Sequence, residues 1–205
     1  MEDVLEVYQR HYEEDEVLIC MDETSKQHIK DTRIPLPTRP GEPERIDYEY
    51  ERNGVSNLFM LFAPLEGWRH VKVTDRHTKV DWAQLIKELV DEHHPKKKII
   101  LVMDNLNTHK LGSLYEAFEP AEARRIADRL EIHYTPKHGS WLDMAEIEIG
   151  VLSRQCLDRR LPDQETLKRE INAWQNTRNQ KAIRVDWRFT AEDARTKLKS
   201  LYPSI

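Results

Sequence analysis

Apolar and polar positions alternate in two rhythms along this chain. Residues 1–15 place Val4, Leu5, Tyr8 and Tyr12 at helical spacing, which predicts a short amphipathic helix. A continuous apolar run follows, Val17 to Met21, and stops at Asp22-Glu23; its length and branched content suit a buried strand. Residues 31–47 carry four prolines and a glycine and read as an extended loop. The segment 46–51 (IDYEYE) alternates like a half-exposed strand. Arg52-Asn53-Gly54 carries an Asn-Gly hairpin-turn signal, with Val55–Phe62 as the return strand and Trp68–Thr74 as the next. These segments make a meander.

The rhythm then changes. Residues 78–93 show a helical stripe of Val80, Ala83, Leu85, Ile86, Leu89 and Val90. Ile99–Met103 is a second buried strand and ends at Asp104. Helices are expected over 111–118 and, opened by Pro120, over 121–130. A short strand at 132–134, a loop at 135–140, and helices over 142–158, 163–178 and after Thr190 complete the reading. The order predicts an α/β class, a mixed sheet with helices on its faces.

Composition narrows the class. With 205 residues the chain can form one sizeable core, and 34% charged residues mark a globular, charge-rich protein. No apolar run reaches the ~20 residues of a membrane helix, and the acidic N-terminus lacks a secretion signal. Two distant cysteines, Cys20 and Cys156, suggest buried thiols in a reducing cytoplasm. The net charge of −5 runs against a DNA-binding surface spread over the whole chain. Positive charge is confined to clusters at 96–98, at Arg124, Arg125 and Arg129, and at Arg154, Arg159 and Arg160, each of which reads equally well as a solvated face.

Two apolar strands that each end in aspartate are the candidate chemistry. If they are parallel neighbours, Asp22 and Asp104 emerge together at the carboxyl edge of the sheet, where open α/β sheets place their sites. Adjacent carboxylates repel, and a hard cation such as Mg²⁺ or Mn²⁺ relieves that repulsion. A third carboxylate would come from the helix over 142–158, where Asp143, Glu146 and Glu148 are candidates. Helical angle leaves Glu146 and Glu148 on either flank of the stripe Ala145, Ile149, Leu152, Cys156 and does not choose between them. Strand-terminal aspartates also serve simply as turn or helix caps.

Longer motifs add a resemblance. The segments CMDETSKQHIKDTRIPLP (20–37), DYEYERNGVSNLFMLFAPLEGWRHVKVT (47–74), VMDNLNTHK (102–110), YTPKHGSWLDMAEIEIGVLSRQCLDRR (134–160) and VDWRFTAEDARTKLKSLYP (185–203) resemble the IS630 branch of the IS630/Tc1/mariner transposases. The resemblance runs from about residue 15 to the end. It implies an RNase H-like, five-stranded sheet flanked by helices and a DDE catalytic triad of Asp22, Asp104 and Glu146. Glu146 enters by this match, through Leu142-Asp143-Met144-Ala145-Glu146; Glu148 is then expected to be dispensable for cleavage. The triad would hold Mg²⁺ or Mn²⁺, two ions in all, for cut-and-paste cleavage and strand transfer on double-stranded DNA, with transposon ends and target DNA as partners. Asp143 departs from the family pattern, where asparagine is common.

The resemblance also implies a division at residue 16. Residues 1–15 would be a helix or linker remnant and 16–205 the catalytic domain, with the family's N-terminal helix-turn-helix not represented. The expected setting is a bacterial cytoplasm, at the nucleoid, in a homo-oligomer or with a separate DNA-binding chain. Lys137, His138, Trp141, Arg154, Asn105 and His109 are candidate DNA contacts, with His109 and the asparagines alternatively orienting Asp104. A transposase-derived protein without catalysis, or an RNase H-type nuclease, would share most of these features.

Overall fold

The computed structural model describes residues 1–43, 45, 47–137 and 139–202. Five strands form one sheet: β1 (Glu16–Asp31), β2 (Tyr50–Ala63), β3 (Trp68–Thr74), β4 (Lys98–Met103) and β5 (Leu130–Tyr134), in the order β3-β2-β1-β4-β5. The first three are an antiparallel meander, and β4 and β5 are added in parallel to β1. This is the mixed sheet that the periodicity predicts, with the five strands that the family resemblance implies.

Period-two alternation divides the core into two layers. Leu18, Cys20, Leu58, Met60, Phe62, Ile100 and Val102 face one side. There they meet α1 (Glu2–Gln9), α5 (Met144–Leu152), α6 (Gln164–Gln180) and α7 (Ala191–Lys197). Val17, Ile19, Met21, Phe59, Leu61, Leu101 and Met103 face the other side, against α2 (Lys79–Glu88), α3 (Leu111–Ala117) and α4 (Pro120–Ala127). Thr78 and Thr190 open α2 and α7 with capping boxes, and Asp163 caps α6. Both α2 and α5 continue into a π-helical turn, at Leu89–His93 and Ser153–Leu157.

Three expectations are corrected. The strand carrying Asp22 does not end there: β1 continues to Asp31 against β2, because residues 22–31 keep a partner on that side. The Asn-Gly pair is not a hairpin turn. Gln27 faces Val55 and Ile29 faces Arg52, so Asn53 and Gly54 together oppose His28 in a β-bulge, and Gly54 takes the φ of +91° that the bulge demands. Residues 47–49 are loop rather than strand, and Ile46 lies outside the described residues.

The first helix is more than an appendage. Val4 and Leu5 are fully buried in the α5–α6 layer, and the Tyr8 hydroxyl donates to the Leu142 carbonyl at 2.6 Å, just ahead of α5. Among the described residues no helix is long and apolar enough to cross a membrane.

Candidate active site

The site follows from where β1 and β4 part. Their parallel pairing ends with Met21 opposite Met103. The next residue on each is Asp22 and Asp104, and both take the alternation that points toward the α5 layer. The parallel register of β4 and β5 ends at the same level, Met103 opposite Tyr134, so the loop from Thr135 to Ser140 leaves from this edge. Within it, Gly139 sits against Pro136 so closely that a Cβ would lie 2.6 Å from the proline ring. A larger residue there would push this wall of the site outward.

The loop leads into α5 through Asp143. Its Oδ1 accepts from the Ala145 amide at 2.8 Å and caps the helix, which sets the direction of Glu146. Asp22, Asp104, Asp143 and Glu146 all line one open cleft of about 680 Å³, together with Asn105, Lys137 and Ser140. The predicted triad is thus brought together from three elements distant in sequence. Glu148 points elsewhere: it is 2% exposed and held by Arg69 of β3 and Arg178 of α6 at 2.8–3.1 Å. Of the two acids that helical angle leaves open, Glu146 is the one that lines the cleft.

The electrostatics are those of crowded acids. Burial raises the Asp22 carboxyl to about pKa 6, with Asp104, Glu23 and Glu146 adding repulsion. Burial also raises Asp143 well above the usual carboxylate range, with Asp22 contributing. Its second oxygen, Oδ2, is buried without a hydrogen-bond partner. Among the described residues no three acidic, histidine or cysteine side chains stand close enough to cage an ion as they are. The donor set is nevertheless all hard oxygen, crowded with like charge and open to a cleft, which fits Mg²⁺ or Mn²⁺ and not zinc.

His109 corrects a sequence expectation. It is 1% exposed and cannot reach DNA. Its Nδ1 lies 2.6 Å from Asp104 Oδ1, and its Nε2 lies 2.7 Å from Glu23 Oε2, off the ideal hydrogen-bond line. Burial alone would lower the imidazole pKa, but the bond to Asp104 and the Glu23 carboxylate outweigh it and raise it to about 9. The cationic ring therefore props Asp104 from behind, and Glu23, on the opposite face of β1 from Asp22, completes the support. The motif MDE-DNLNTH contains both residues, but sequence alone does not show that Glu23 is the far anchor.

The remaining candidates scatter. Lys137 and Asn105 are exposed at the cleft. Trp141 stacks on Trp187 at 6.4 Å and meets Phe189 edge-on, leaving 39% of its surface free. Arg154 is exposed on the π-turn after α5. His138 lies outside the described residues. Most of the basic clusters are spent on ion pairs: Lys97 with Glu66, Lys98 with Glu131, Arg124 with Asp128, Arg125 with Glu122, Arg159 with Glu170 and Arg160 with Asp31.

Comparison with known proteins bears on the fold and the family. A Mos1 transposase paired-end complex with left transposon end superposes with a TM-score of 0.59 at 14% identity, covering 89% of this chain and 56% of the other. A Mos1 mariner paired-end complex with Mn gives 0.57 at 15%, covering 89% and 55%, and a Mos1 strand transfer complex 0.56 at 13%, covering 89% and 58%. The chain therefore spans little more than half the length of these proteins, and the likeness is one of fold. No curated protein sequence matches it. The sequence profile described as DDE superfamily endonuclease matches residues 17–168, from the start of the Asp22 strand to beyond Glu146, and the chain belongs to that family.

Proposed function

We propose that this chain is the catalytic domain of a DNA transposase of the IS630 type, cutting DNA with divalent metal and joining the freed end to a target. The observation that carries the reading is the convergence of Asp22, Asp104 and Glu146 on one cleft, from β1, β4 and α5. The neighbouring folds include Mos1 complexes described with Mn and with Mg, and with transposon-end DNA, which supports the same metals and substrate here.

Asp22, Asp104 and Glu146 would hold the metal, two ions at the one site. When bound, it supplies positive charge at the scissile phosphate and lowers the pKa of the attacking water. Asp104 is kept in place by His109, so its carboxylate does not have to be ordered at the moment of reaction. Lys137 and Asn105, at the rim, bind the DNA backbone beside the cleft. Water adds at phosphorus, the bond to the 3′ oxygen breaks, and that oxygen leaves with a proton as a 3′-hydroxyl. In strand transfer the 3′-hydroxyl takes the place of water: its oxygen bonds to the target phosphorus, the bond to the target's own 3′ oxygen breaks, and that oxygen takes the proton the attacking hydroxyl gives up. No covalent bond to the protein forms.

The test is cleavage of a plasmid carrying the genomic segment around the chain's own gene, in Mn²⁺, beside an RNA–DNA hybrid. Wild type should nick the plasmid near the gene's flanks. Asp22→Ala, Asp104→Ala and Glu146→Ala should each fall at least a hundredfold while keeping the wild-type circular dichroism spectrum. Cutting of the hybrid alone would identify an RNase H-type nuclease. No cutting, with no Mn²⁺ binding by wild type, would identify a non-catalytic relative.

A further inference from the structure

The cleft does not end at the carboxylates. On β1, Thr24 and Lys26 share Asp22's alternation and lie further along the same face. On α5, Gly150 and Arg154 follow Glu146 at steps of four, one helical turn each. Strand and helix-end meet beyond the carboxylates, where Lys26 of β1 reaches the Leu157 carbonyl. Here Thr24, Lys26, Ser153 and Arg154 wall a separate hollow of about 400 Å³, with Asp158 also on its wall.

Two details set what this hollow takes. Lys26 Nζ is occupied, donating to the Leu157 carbonyl at 2.6 Å and pinning the end of the π-turn to β1. Arg154 is exposed, and among the described residues its guanidinium pairs with no carboxylate. It folds back over Gly150: a Cβ there would stand 3.5 Å from the guanidinium nitrogen. An alanine would fit there in ordinary contact, whereas a larger side chain at 150 would occupy the place where the guanidinium lies. At ~1.5 Å per residue, Gly150 is about 6 Å along the helix from Glu146.

We infer that the hollow between β1 and the end of α5, with Arg154 lying over Gly150 and the Thr24 and Ser153 hydroxyls beside it, is a phosphate subsite for the DNA strand, next to the acidic cleft. It deepens, and rests on, the DNA reading above. Lys137 at one end and Arg154 at the other give the acidic cleft a cation on each side, so a polyanion can cross it.

The test is anisotropy titration of a short random-sequence DNA duplex in Ca²⁺ over a range of salt concentrations. Arg154→Ala should weaken binding about tenfold and flatten the slope of log affinity against log salt by about 1, the signature of one lost phosphate contact. Gly150→Leu, which keeps the arginine but fills its resting place, should do the same. Lys181→Ala, an exposed cation at the far end of α6, should leave both quantities unchanged. Wild-type slope in Arg154→Ala, or an equal loss in Lys181→Ala, overturns the subsite while leaving the nuclease reading intact. A wild type that binds no DNA overturns both. A wild type that binds with the predicted Arg154 dependence but never cleaves keeps the subsite and rejects the nuclease.

Discussion

At the residue scale, His109 governs how Asp104 behaves. A buried imidazolium between two carboxylates is stable only while it is charged. Its folded pKa of about 9 lies above the free value of 6.5. Below pH 6.5 the ring is protonated folded or unfolded, and its full contribution is present. As pH rises through 9 the folded state loses the proton and the contribution with it. The shift corresponds to about 3 kcal/mol. The melting temperature of wild type should therefore fall between pH 6.5 and 9, and His109→Gln should lack that fall. The same variant should lose cleavage more than tenfold at pH 7, because Asp104 and Glu23 are left without their cation. A flat wild-type profile across that window would show that the ring is neutral.

At the element scale, α5 faces two ways. Its first turn offers Glu146 to the cleft, and two residues on, Glu148 is locked into Arg69 and Arg178. Arg69 also donates to the Gly67 and Ile183 carbonyls, so one buried knot ties β3, α5 and α6 together. Removing the acid leaves two cations uncompensated, one of them 1% exposed, at a cost of about 3–5 kcal/mol. Glu148→Ala should therefore unfold at markedly lower urea than wild type, and its cleavage is to be read only where it is folded. Arg178→Ala should lower stability less, since Arg69 stays. Equal stability of Glu148→Ala and wild type would remove the knot from this account. Elements with a clean period were legible from sequence, among them β3, α6 and the Pro120 helix. What sequence could not supply was context. The Asn-Gly signal is the same in a turn and in a bulge, and only the pairing partner of His28 distinguishes them. Glu146 and Glu148 sit at equivalent angles to the apolar stripe, and only the distant Arg69 and Arg178 separate them. The end of the β1–β4 pairing, which exposes both aspartates, was visible as the point where two apolar runs stop.

At the scale of the whole molecule, a net charge of −5 and a cleft of four acids oppose DNA and oppose one another. The domain carries this as instability until a cation arrives. Asp22 shows it most directly. Its folded pKa of about 6 exceeds the ordinary 3.8, so the folded state binds the proton more tightly than the unfolded chain does. Above pH 6 the ionised group disfavours folding by about 1–3 kcal/mol; the penalty fades as pH falls and is gone below 3.8. Asp22→Asn removes the charge while keeping the shape. At pH 7 without divalent metal it should melt several degrees above wild type, while being inactive, and at pH 3.5 the two should melt together. Millimolar Mn²⁺ should raise the wild-type melting temperature, because an ion that binds only the folded state stabilises it. In Asp22→Asn most of that gain should be missing. If wild type is the more stable of the two in chelator at pH 7, the acids are not straining the fold, and the argument that this cleft is built around a cation loses its energetic basis.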